Sequence, residues 1–151
     1  ILWLTLFRDR IDDIMEQVKC PVAVFVNRGY REGALVSFVL GGMIDIFLLS
    51  YISIMLQNGH SVRLFLFDTD DEEFCRCMND LQARYSGQIT IVRFAGVEEL
   101  VTREKDGLLV MSHLSYTKLS EDELVMRELS SLLVIRRNKN KGEKNERLEI
   151  G

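Results

Sequence analysis

At 151 residues the chain is long enough for one domain that buries roughly two-thirds of its unfolded surface. Apolar residues make up 47% and charged residues 28%, which excludes a disordered acidic chain and a bare membrane bundle. The 19 basic and 23 acidic residues leave a net charge of −4, which argues against nucleic acid as a partner. An odd count of three cysteines and a single proline suit a reducing compartment better than a disulfide-built scaffold.

Ile1–Phe7 (ILWLTLF) has neither the basic flank nor the small-residue cleavage site of a signal peptide, so the chain is expected to be part of a longer polypeptide. Phe7–Lys19 places Phe7, Ile11, Ile14, Met15 and Val18 at helical spacing, and leads into a strand over Pro21–Val26 and a turn at Asn27-Arg28-Gly29. This helix and strand read as the close of a preceding half-domain over residues 1–30, with the main domain over 31–137 and a charged tail over 138–151.

Ala34–Leu56 contains 23 residues with one charge, and a hydropathy window would score it as a membrane span. The glycine pair in its middle and Asp45, which costs about 2.5–3.5 kcal/mol at a bilayer centre, favour a water-soluble reading. That reading is a buried strand over Leu35–Leu40, a turn at Gly41-Gly42, and a helix from Met43 to Gln57 stopped by Asn58-Gly59. Ile44, Phe47, Leu48, Tyr51, Ile52 and Met55 form its expected core stripe. Ile46, Leu49 and Ile54 make the other side apolar too, which points to an interface with a second copy or with a preceding half-domain.

The alternation continues. Ser61–Phe67 is a strand, Asp68-Thr69-Asp70 an N-cap cluster, and the following helix runs to Tyr85 with Phe74, Met78, Leu81 and Tyr85 on one stripe. Gln88–Phe94 is a strand, Val97–Arg103 a short helix, and Gly107–Met111 a strand. His113–Ser120 reads as a polar loop, Glu121–Leu129 as a helical turn or two, and Ser131–Arg136 as the last strand. Helices between near-continuous apolar strands predict an α/β fold: an open, mostly parallel five-stranded sheet with helices on both faces. Ligands in such folds bind at the carboxyl ends of the strands, here Gly41-Gly42, Asp68-Thr69, Ala95-Gly96 and Ser112-His113.

Cys20-Pro21, the strand ending in Asn27-Arg28-Gly29, and the strand ending in Gly41-Gly42 with Asp45 after it together resemble the cytosolic tails of monovalent cation:proton antiporters, whose halves are universal stress protein-like. The likeness spans about residues 7–137. It departs from the family pattern in the order Cys20-Pro21, in Asn27 where the family has Asp, and in keeping one acidic residue after the glycine pair. The resemblance implies a Rossmann-like sheet of the adenine nucleotide alpha hydrolase kind. It also implies a non-catalytic regulatory role on the cytoplasmic side of the inner membrane and, as partner, the membrane domain of the same polypeptide. Universal stress proteins hold ATP on a glycine-rich loop, but the matching stretch Met111–Arg127 contains no glycine and carries Glu121, Asp122 and Glu123. No cofactor is therefore expected, although ATP or AMP remains the ligand of an alternative free-standing nucleotide-binding stress protein.

Gly41, Gly42 and Asp45 are the first ligand-binding candidates, through free N–H groups and a carboxylate for a ribose or adenine edge; the competing reading is a tight turn with Asp45 as a helix cap. Asp68, Ser112 and His113, at other strand ends, complete the set. Ser112 lacks a nucleophile elbow and His113 has no partner at motif spacing, so no catalytic residue is assigned. Cys75 and Cys77 point about 200° apart on a helix with no histidine nearby, so they read as core thiols and no metal site is expected. His60 is a turn residue. Arg136–Arg147 opens a tail with six basic and three acidic residues to the chain end, +3 against −7 for the body, read either as solvated or as touching anionic lipid.

Overall fold

The computed structural model describes residues 8–67, 69–101 and 105–137, and the expected tail over 138–151 lies outside them. In chain order the elements are α1 (Arg8–Gln17), β1 (Val22–Val26), β2 (Val36–Leu40), a 3-10 helix (Met43–Leu48) continuing into α2 (Leu49–Gln57), and β3 (Val62–Phe67). Then follow α3 (Glu72–Arg84), β4 (Ile89–Phe94), a second 3-10 helix (Val97–Leu100), β5 (Leu108–Ser112), α4 (His113–Leu119), α5 (Glu123–Glu128) and β6 (Ser131–Arg136).

The strands form one sheet in the order β1-β6-β5-β2-β3-β4. All neighbours are parallel except β1 and β6, which run antiparallel from Val22 opposite Arg136 to Val26 opposite Leu132. The sheet therefore has six strands, not five. Val22–Val26, expected to close a preceding half-domain, supplies an antiparallel edge strand to this sheet, a common ending for parallel sheets. Ile11 and Met15 of α1 are buried in the same core.

Alternation along the parallel strands feeds two cores on opposite faces. In β3, Val62, Leu64 and Leu66 meet Leu48, Ile52 and Leu56 of the first 3-10 helix and α2 together with Phe74, Met78 and Leu81 of α3. Phe65 points the other way, with Val39, Phe94, Leu109 and Met111, into the core built by α1, the second 3-10 helix, α4 and α5. Phe94 closes that core with Phe65 edge-on at 6.2 Å and Phe67 tilted at 4.2 Å.

Residues 34–57 adopt the expected strand, turn and helix, and among the described residues no helix is long and apolar enough to cross a membrane. The helix differs from expectation in its first half. Gly42 (φ 130°, ψ −161°) occupies backbone space open essentially to glycine, and Asp45 N–H then donates to Gly42 O at 3.0 Å, winding Met43–Leu48 as a 3-10 helix before α2 begins. Its buried side chains are Asp45, Leu48, Ile52 and Leu56, whereas Ile44 and Tyr51 of the expected stripe are exposed. Two other local readings are corrected. Asp71, not the 68–70 cluster, caps α3 by accepting from Phe74 N–H at 3.1 Å. The expected loop His113–Ser120 is the helix α4, capped by the Ser112 hydroxyl, which accepts from Ser115 N–H at 3.2 Å.

Candidate functional site

The chain leaves β2 for the face covered by α2 and leaves β5 for the face covered by α4. Those strands are parallel neighbours, with Phe38 opposite Val110, so their carboxyl ends mark the point where the crossovers part, the place at which α/β folds bind ligands. Gly41, Gly42, Asp45, Ser112 and His113 all lie there. Asp68 lies outside the described residues.

Asp45 is the centre of the group and is fully buried. One carboxylate oxygen, Oδ2, accepts from Gly41 N–H at 2.7 Å and from the Ser115 hydroxyl at 3.0 Å. The approach is close because Gly41 has no side chain: a Cβ there would lie 3.1 Å from Asp45 Oδ2 and 3.6 Å from Ser115 Oγ. The other oxygen, Oδ1, is buried without a hydrogen-bond partner. Asp45 thus does not cap its own helix, whose N-cap has no side-chain bond; it ties the β2 turn to α4. The Gly41 N–H that was a candidate anion donor is already taken by this carboxylate. A phosphate at the turn would face a buried negative charge, while a hydrogen-bond donor would complete Oδ1.

His113 begins α4 and sets Nε2 2.9 Å from Asp12 Oδ1, linking α1 to the end of β5; its ring stacks near Tyr116. Ser115 and Asp12 are the members of this constellation that sequence reasoning missed. The pair Ser112 and Ser115, at the spacing of an N-cap and the third residue of a helix, was the available signal for Ser115. Nothing in the sequence links Asp12 to His113, 101 residues away. Among the described residues no group of three or more His, Cys, Asp or Glu side chains is placed to hold a metal.

The other motif residues sit at junctions. Asn27 Oδ1 accepts from Gly29 N–H at 3.0 Å and Tyr30 N–H at 3.2 Å, shaping the turn in which Gly29 takes φ 102°. Arg28 donates to Met126 O and, at 3.1 Å, to Leu129 O, at the carboxyl end of α5, where a cation is favoured. Burial lowers the guanidinium pKa from its ordinary value, with Tyr116 opposing. Because Arg28 is partly exposed, Arg28→Ala is expected to cost about 1 kcal/mol in urea unfolding. Arg136 donates to Val18 O and, at 2.9 Å, to Cys20 O, fixing the link between α1 and β1.

At the Ala95-Gly96 strand end, Glu99 turns back to accept from Ala95 N–H at 2.8 Å and Gly96 N–H at 3.1 Å. The Gly96 and Ala95 hydrogen bonds hold its carboxyl below the usual carboxylate range. A lowered folded-state value stabilises the fold above the unfolded pKa, and that contribution fades as pH falls through the folded one. The stability gap between the native chain and Glu99→Gln is therefore expected to narrow on acidification below the usual carboxylate range, as read by urea unfolding across pH.

Of the three interface candidates, Ile54 is exposed, whereas Ile46 and Leu49 are half-buried against the core shared with α3. Cys75 and Cys77 are half-buried free thiols and Cys20 an exposed one. No family model, curated protein or solved structure matches the chain.

Proposed function

We propose that this chain is a non-catalytic regulatory domain of a monovalent cation:proton antiporter, universal stress protein-like in fold and held on the cytoplasmic side of the inner membrane. Exchange itself belongs to membrane helices of the same polypeptide. The domain biases them by binding a ligand or partner with different affinity in two conformations.

The observation that supports this reading most is the contact of Asp45 with Gly41 and Ser115 where β2 and β5 part. It sits where α/β folds bind ligands, yet its glycine turn is closed by the domain's own Asp45 rather than left open for phosphate. The segment matching the nucleotide loop of universal stress proteins contains no glycine and includes the helices α4 and α5. A site that takes no phosphate fits these residues better than an ATP site does.

An antibody raised against the domain tests the reading in the native host. The expected result is a band several times larger than 17.5 kDa in the membrane fraction, retained after alkaline carbonate washing. A water-soluble band near 17.5 kDa would overturn it and favour a free-standing stress protein, and titration with ATP or AMP would then be the next measurement.

A further inference from the structure

The Asp45 carboxylate is 0% exposed, and both bonds it accepts come from neutral donors, the Gly41 amide and the Ser115 hydroxyl, on the single oxygen Oδ2. No protein donor reaches the buried Oδ1. No Lys or Arg occurs between Arg31 and Arg63, so this stretch of chain brings no cation of its own to the carboxylate. A buried carboxylate with an unfilled oxygen is costly until a donor or a cation completes it. Gly41 and Ile44, on either side of Asp45 in the chain, are exposed, so the carboxylate lies just beneath the surface.

The neighbouring groups select what completes it. The side-chain donors here are hydroxyl oxygens. Ser115 Oγ lies 3.0 Å from Asp45 Oδ2, and Ser112 Oγ is joined to Ser115 through its N–H at 3.2 Å. Hydroxyls keep acceptor lone pairs while they donate, and such hard oxygens suit alkali and alkaline-earth ions rather than transition metals. The imidazole of His113 is committed through Nε2 to Asp12. One carboxylate, already eased by the amino ends of the 3-10 helix and α4, balances one positive charge. Divalent ions favour denser negative charge, and among the described residues no three His, Cys, Asp or Glu side chains gather to supply it.

We propose that Asp45 Oδ1, with the Ser115 and Ser112 hydroxyls, binds a monovalent metal cation, sodium or potassium, between the carboxyl ends of β2 and β5. The bound ion stabilises the conformation in which the β2 turn is tied to α4. Its regulatory meaning rests on the antiporter reading, in which such a site reports the ion that the membrane helices exchange; the binding itself does not depend on that reading.

Thermal melting of the full chain in potassium, sodium or choline chloride, at equal ionic strength and one pH, tests it. The midpoint is expected to lie about 4 °C higher in the better alkali salt than in choline chloride, whose cation is too large for a buried carboxylate. Asp45→Asn keeps an acceptor for Gly41 N–H and Ser115 O–H without the charge, and its midpoint should differ by less than about 1 °C among the three salts. The sodium NMR resonance gives a second reading that needs no variant: the native chain broadens it and excess potassium sharpens it again. Equal melting of the native chain in all three salts, or a salt shift that survives Asp45→Asn, would overturn the proposal. So would a larger shift from millimolar magnesium or calcium than from either alkali salt. A water-soluble band in the immunoblot above would remove the regulatory meaning and leave the cation site standing, whereas equal melting would remove the site and leave the immunoblot untouched.

Discussion

Replacing Ile52 by alanine is expected to lower the unfolding free energy by about 3 kcal/mol, whereas Ile54→Ala, two residues on, changes it by less than about 0.5 kcal/mol. Ile52 is wholly buried with Leu48 and Leu56 against Val62, Leu64 and Leu66 of β3, so truncation leaves a cavity in a close-packed layer. Ile54 is 57% exposed and has little burial to lose. Urea unfolding of the two variants separates the faces of a helix whose composition does not. Equal losses would mean that Ile54 is buried in the isolated domain.

Asp45→Ala is the second large effect, about 2–3 kcal/mol of stability and roughly 6–12 °C in melting temperature. Removing the carboxylate strands the buried Ser115 hydroxyl and the Gly41 N–H, and unties the β2 turn from α4 across 70 residues of sequence. Asp45→Asn keeps an acceptor for both donors and is expected to cost about 1 kcal/mol, most of it from the loss of a charge-assisted bond. A change below about 0.5 kcal/mol for the alanine variant would mean that the carboxylate faces water and closes nothing.

The strands were legible because their apolar runs are bounded by turn residues. Ser131–Arg136 was read to the residue, and β2 to β5 to within one residue at each end. The phase of α2 was not. A helix apolar all round gives no face to read, and the 3-10 winding of residues 43–48 shifts the stripe, so Leu56 is buried where Ile44 and Tyr51 were expected. The helix α4 escaped notice because only Ser115, Tyr116 and Leu119 of its seven residues are buried, too few for an apolar stripe.

The candidate site was legible in position and not in construction. The strand-end rule drew attention to Gly41, Gly42, Ser112 and His113, and Asp45 followed from its place after the glycines. That Asp45 would also accept from Ser115 depends on the far crossover, and that His113 would meet Asp12 depends on an edge strand pairing with β6 across the whole domain. Contacts of that separation leave no local pattern. The same holds for Val22–Val26, whose strand character is evident but whose partner is not.

Cation-driven proton exchange in inside-out vesicles, measured for the parent polypeptide with and without residues 8–137, bears most directly on the regulatory role. The account predicts that exchange persists without the domain while its half-activating cation concentration or its pH dependence shifts. Exchange that is identical in every respect with the domain removed would contradict it.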